Sequence, residues 1–164
     1  MPDLITRPRR LRTHQTLRNL VAESRLDRAM LVQPHFVVPG TGIAEPIQAM
    51  PGIEHQSVDR LLATVRADLE LGIRSLLLFG VPAESAKAPD GRAAWADDAV
   101  VVEAVRALKR EHGDELVVMT DVCLCAYTDH GHCGALRNGH IDNDASLPLL
   151  AKMALAHARA GADV

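Results

Sequence analysis

Glycine stands at residues 72, 113 and 161, each time at the end of a run with helical apolar spacing. Val58, Leu61, Leu62, Val65 and Leu69 mark one face of the first helix, with Ser57 and Asp59 placed to cap it and Gly72 to end it. Val101, Val105 and Leu108 mark the second, which Asp97 or Asp98 begins and Gly113 follows. Asp144 caps the third, where Pro148 is tolerated only in the first turn, since a proline there removes no intrahelical hydrogen bond. Aliphatic runs at 73–79 and 116–121 have the length of buried strands; an earlier one at 29–38 opens the series and a fourth begins at 162–164. Strand and helix alternating every forty to fifty residues argue for an α/β fold with parallel strands. Periodicity alone allows an open doubly wound sheet or a closed (β/α)8 barrel.

The core must be aliphatic, because Phe36, Phe79, Trp95 and Tyr127 are the whole aromatic complement of 164 residues. A formal net charge of -3 argues against nucleic acid as the main partner, which would need a concentrated basic face. No apolar run has the length of a membrane span, so the expectation is a soluble, cytoplasmic protein with no membrane partner. Pro34 inside the first strand requires an irregular point. Gly40-Thr41-Gly42 lacks the third glycine of a dinucleotide fingerprint and reads as a turn. Residues 1–28 carry Arg7, Arg9, Arg10, Arg12, Arg18, Arg25 and Arg28 against Asp3, Glu23 and Asp27. A transit peptide would be poor in acids, so a solvated surface arm is the simpler reading.

All three cysteines fall between Thr120 and Leu136, together with Asp121, Asp129, His130 and His132. If a strand ends here, Cys123 and Cys125 leave on the same face, since side chains two apart point the same way. Gly131 and Gly134 let the loop fold back and bring Cys133 to them. Three thiolates suit zinc and leave a fourth position for water or substrate. Two other readings stay open: a disulfide, for which the odd count and the Cys-x-Cys spacing are poor, and a closed structural site with His130 or His132 as fourth ligand.

The run Asp-Val-Cys-Leu-Cys-Ala-Tyr-Thr-Asp-His-Gly-His-Cys-Gly resembles the zinc-cysteine loop of porphobilinogen synthases, also called 5-aminolevulinate dehydratases. Other segments agree in the same order: residues 7–12, Phe36-Val37-Val38, Pro46-Ile47, Met50-Pro51-Gly52, Leu71-Gly72-Ile73, Asp142-Asn143-Asp144 and Ala160-Gly161-Ala162-Asp163. The resemblance implies a TIM barrel of the (β/α)8 type, represented by an N-terminal arm at 1–28 and an incomplete barrel at 29–164 with the first three to four β/α units. It implies a hydro-lyase that joins two 5-aminolevulinate molecules into porphobilinogen, with loss of two waters, in tetrapyrrole (haem) biosynthesis. Zn2+ would be held by Cys123, Cys125 and Cys133. It implies a homo-oligomer, an octamer in the family, built through the arm.

Asp121 would sit near a substrate amine or a proton to be moved, or would fix the loop by accepting backbone N–H bonds. His130 and His132 would be proton shuttles, partners of the metal ligands, or structural. The family's reaction also uses two Schiff-base lysines. Of the three lysines here, Lys87 lies in a polar loop, Lys109 near a helix end and Lys152 on a helix, and none has the family's surrounding motif. Both Schiff-base lysines, the substrate-carboxylate arginines and the allosteric Mg2+ site belong to later parts of the family pattern. The expectation is an N-terminal portion without turnover of its own, the alternative being an inactive zinc-binding half barrel able to associate with full-length subunits.

Overall fold

The computed structural model describes residues 8–164, so Arg7 and the acid at Asp3 lie outside the described residues. Within the arm, a 3-10 turn at Arg10–Arg12 precedes a short helix α1 (Gln15–Leu20), capped by the His14 ring, which accepts from Leu17 N. Neither segment has a buried residue. The Arg28 guanidinium donates to Leu71 O at 2.9 Å, where the arm meets the body.

Strand β1 (Val32–Val37) is followed by a hairpin of β2 (Ala44–Pro46) and β3 (Glu54–Gln56), then helix α2 (Val58–Glu70) and strand β4 (Ser75–Gly80). Helix α3 (Val100–His112) leads to β5 (Val117–Thr120), a small hairpin of β6 (Leu136–Arg137) and β7 (His140–Ile141), and helix α4 (Asn143–Ala160). The main sheet has the order β2-β3-β1-β4-β5, with every pairing parallel except that of β2 with β3. The α/β fold with parallel strands expected from periodicity is present; the sheet is open among the described residues.

Strand alternation decides the layers. Leu76, Leu78 and Val118 point to the helical side, where with Val37 they pack on Leu61 and Val65 of α2 and on Val101, Val105 and Leu108 of α3. Leu77, Phe79 and Met119 face the other side and are only half-buried there, with Phe36 stacked on Phe79 at 5.1 Å. Asp163 N donates to Val118 O and Thr120 N to Val164 O, so the residues after α4 run along β5.

Several local expectations change. Helix α3 begins at Val100, beyond Asp97 and Asp98, because a 3-10 turn at Arg92–Ala94 and an Ala96–Ala99 turn use the preceding chain. Helix α4 is capped by Asp142, whose carboxylate accepts from Ala145 N at 3.0 Å, and Asp144 lies inside its first turn. Ser57 is the α2 N-cap residue but makes no capping bond; its hydroxyl accepts from Ile43 N and donates to Asp59, whose carboxylate takes Gly42 N. Those two side chains fasten the glycine turn onto the helix. The hairpin of β2 and β3 escapes a periodicity argument because three-residue strands are too short to alternate measurably.

Pro34 is accommodated inside β1. Val38 N donates to Gln56 O, and period-two alternation places the Pro34 nitrogen on that same flank. There β3 pairs only with Phe36 and Val37, so no ladder donor is missed.

Two histidines are buried on the helical side. His35 Nε2 meets Asp68 Oδ2 at 2.9 Å, and burial lowers the His35 pKa against the opposing pull of that carboxylate. Burial also lowers the pKa of His157, where the Ala94 backbone acts the other way but lies outside hydrogen-bonding geometry, leaving both ring nitrogens without a partner. Both groups bind fewer protons folded than unfolded just below their ordinary value of 6.5, so stability is full above it and falls as pH drops through the folded values. Urea midpoints should therefore decline as pH falls below the ordinary histidine value of 6.5, and His157→Leu should flatten the slope; an unchanged slope would contradict this assignment.

No helix of the described residues is long and apolar enough to cross a membrane.

Candidate metal centre

Strand β5 delivers the chain to the site. Asp121 N still bonds Leu78 O, but the strand has ended at Thr120, so Cys123 stands just before a turn and Cys125 within it, and neither on the strand itself. The turn keeps the alternation for a different reason. Leu124 is fully buried against Ala94, Tyr127 and Met153, and its carbonyl accepts from both Tyr127 N (2.9 Å) and Thr128 N (3.0 Å). With Leu124 drawn inward, the thiols on either side project together, and their sulfurs are 3.4 Å apart.

Cys133 returns through a second tight turn. Gly131 takes φ of +73°, in the left-handed region that glycine enters without steric cost. The buried Thr128 hydroxyl donates to His132 O at 2.8 Å, closing the loop one residue before Cys133. One residue after it, Gly134 packs so closely on α4 that an added Cβ would collide with the Ser146 hydroxyl. As a result all three sulfurs lie within 4.8 Å of one another. Thiolates sharing one tetrahedral zinc stand about 3.7 Å apart, from Zn–S bonds of about 2.3 Å, so small adjustments would suffice.

The electrostatics favour a cation. Burial, then the neighbouring Cys123 and Cys133 thiols, push the Cys125 pKa up to about 11, and the contact with Cys123 raises that of Cys133. Thiols this close resist ionising together; a bound cation relieves that repulsion. Burial alone raises the Asp121 carboxyl, with no hydrogen bond contributing, which gives no support to the loop-fixing role considered for it. The Tyr127 phenol is raised by burial, then by Asp121 and Cys125, placing all three groups in one neighbourhood.

Neither histidine belongs to the three-sulfur group. His130 accepts from His132 N through Nδ1 and meets Pro89 O at 3.3 Å through Nε2, so both its nitrogens serve the loop. The cysteines are free thiols, and no disulfide forms among them.

The Tyr127 ring secures this loop to the sheet. It packs against Leu124, Ala94 and Met153, and its carbonyl accepts from Ala88 N. At the end of β4, a Cβ on Gly80 would overlap the Tyr127 hydroxyl and Val101, which makes glycine necessary there.

The family model for delta-aminolevulinic acid dehydratase matches residues 5–164. The chain belongs to the delta-aminolevulinic acid dehydratase family. The family's Streptomyces coelicolor enzyme is 45% identical over 159 residues, covering 96% of this chain and 48% of its own. The Bacillus subtilis dehydratase is 43% identical over 164 residues, covering all of this chain and 50% of its own. That of Ruminiclostridium josui is 42% identical, with coverages of 98% and 77%. A crystal structure of the Toxoplasma gondii dehydratase, in complex with the reaction product porphobilinogen, superposes with a TM-score of 0.91 at 32% identity, over 98% of this chain and 46% of that one. The chain thus spans about half the length of most dehydratases it matches here.

Ser146 and Gly80 carry no role in the sequence reading, and Thr128 enters it only as one residue of the cysteine-bearing run. Their signal is weak, since a lone hydroxyl or glycine has no spacing partner; only the fold shows what each one touches.

Proposed function

We propose that this chain carries the zinc-cysteine portion of a porphobilinogen synthase, with Cys123, Cys125 and Cys133 holding Zn2+. The convergence of the three sulfurs carries this reading, in a chain whose family acts on 5-aminolevulinate and whose Toxoplasma relative was crystallised with porphobilinogen. Zinc bound there would act as a Lewis acid and orient substrate. The chain's own residues would do the rest of the local work. Leu124 and Tyr127 hold the turn, and Asp121, whose pKa burial raises, would hold or move a proton beside the thiols. The open sheet is read as part of a (β/α)8 barrel, in which reactive groups gather at the C-terminal ends of strands. Residues 1–28 are read as the arm of a homo-oligomer, an octamer as in the family, and residues 29–164 as barrel.

A second reading, a zinc-binding half barrel without turnover, is favoured by the lysines. Lys87 pairs with Glu84 at 2.7 Å, Lys109 with Asp163 at 2.6 Å, and Lys152 lies over the Trp95 ring at 5.5 Å. A Schiff-base lysine must instead be held neutral in a pocket. Borohydride reduction in the presence of 5-aminolevulinate tests what the two readings share. The expected result for the 164-residue chain is zinc binding with no lysine adduct and no porphobilinogen; an adduct on any of the three lysines would overturn the assignment of Schiff-base chemistry to other parts of the family pattern.

A further inference from the structure

Cys133 is exposed and is the member of the triad farthest along the chain from the other two. Something must hold it in place, and buried hydroxyls act on both sides of it. Before it, Thr128, 1% exposed, donates to His132 O at 2.8 Å. After it, the Ser146 hydroxyl, on α4 and 5% exposed, accepts from Ala135 N at 2.9 Å and donates to Asp142 O at 2.6 Å. The first bond ties Cys133 to the segment that carries Cys123 and Cys125. The second ties it to a helix outside the loop.

We propose that Thr128 and Ser146 are positioning residues that hold Cys133 within reach of the other two thiols, so that the triad is assembled before metal arrives. The inference rests on the metal reading above and adds to it the source of the site's geometry. A thiolate held in place loses less freedom on binding than one on a free loop. Both hydroxyl-bearing residues are buried, so deleting either hydroxyl leaves a backbone group without its partner and the loop free to drift. Groups that orient metal ligands from outside typically contribute ten- to a hundredfold to affinity.

The test is a Co2+ titration of the purified chain, read by the thiolate charge-transfer absorbance, followed by competition with Zn2+. Thr128→Val removes the hydroxyl but keeps the shape, Thr128→Ser keeps the hydroxyl, and Ser146→Ala removes the second bond. Affinity should fall roughly ten- to a hundredfold in Thr128→Val and in Ser146→Ala, and Thr128→Ser should retain it. Thermal melts without metal separate this from simple unfolding, since a merely structural role would lower the melting temperature and leave the affinity of the folded chain unchanged. Wild-type affinity in either variant overturns the role of that hydroxyl. If Thr128→Val does not fold, Ser146→Ala decides. Absence of a thiolate band in the unaltered chain would instead remove the metal reading itself, and this inference with it.

Discussion

Replacing Cys123 by serine should lower zinc affinity by more than roughly a hundredfold, beyond what partners of metal ligands contribute. Cys123 stands 3.4 Å from Cys125 and shares the three-sulfur group with Cys133. A serine hydroxyl does not ionise near neutral pH, so the site would lose one of its three anionic donors and keep the cost of bringing the other two together. Competition against a chromophoric chelator measures the change. Equal affinity in wild type and variant would mean that zinc binds elsewhere on the chain.

Removing the Tyr127 ring should be the most damaging single change to stability near the site. Tyr127→Ala deletes a ring that is 2% exposed and in contact with Leu124, Ala94 and Met153, and such truncations cost about 3–5 kcal/mol where the surroundings cannot collapse. Collapse is restricted here, because the ring lies over Gly80 on β4, a central strand paired on both sides. Tyr127→Phe should be nearly silent, since the phenol oxygen is buried without a hydrogen-bond partner. Urea denaturation of the two variants gives the comparison; a costly Tyr127→Phe would show that the hydroxyl has a partner after all.

Most of the scaffold could be read from spacing. The glycines at 72 and 161 follow helices α2 and α4 with positive φ, and the aliphatic runs after Gly72 and Gly113 became β4 and β5. Helix starts were harder to place, because several side chains can compete for the same free N–H groups. Asp142 won over Asp144, and the Asp59 side chain, within the first turn of α2, holds Gly42. The three thiols do converge, but for a reason other than the one their spacing suggests. Strand alternation was invoked where the strand had already ended, and a buried leucine takes its place. The His35–Asp68 pair had no signal at all, since a sequence separation of 33 matches no local repeat.

The proline in β1 has a consequence for how this protein behaves in a crowd. Unpaired strand flanks recruit extended segments of other chains, which add on by completing the ladder. Along the flank of β1 that β3 does not reach, an incoming segment would meet a pyrrolidine ring at Pro34 where a donor should be, facing a groove lined by Gln33, His35 and Glu54. The same residue that bends no helix and breaks no bond in the native sheet thus makes that flank a poor template for a stranger's strand.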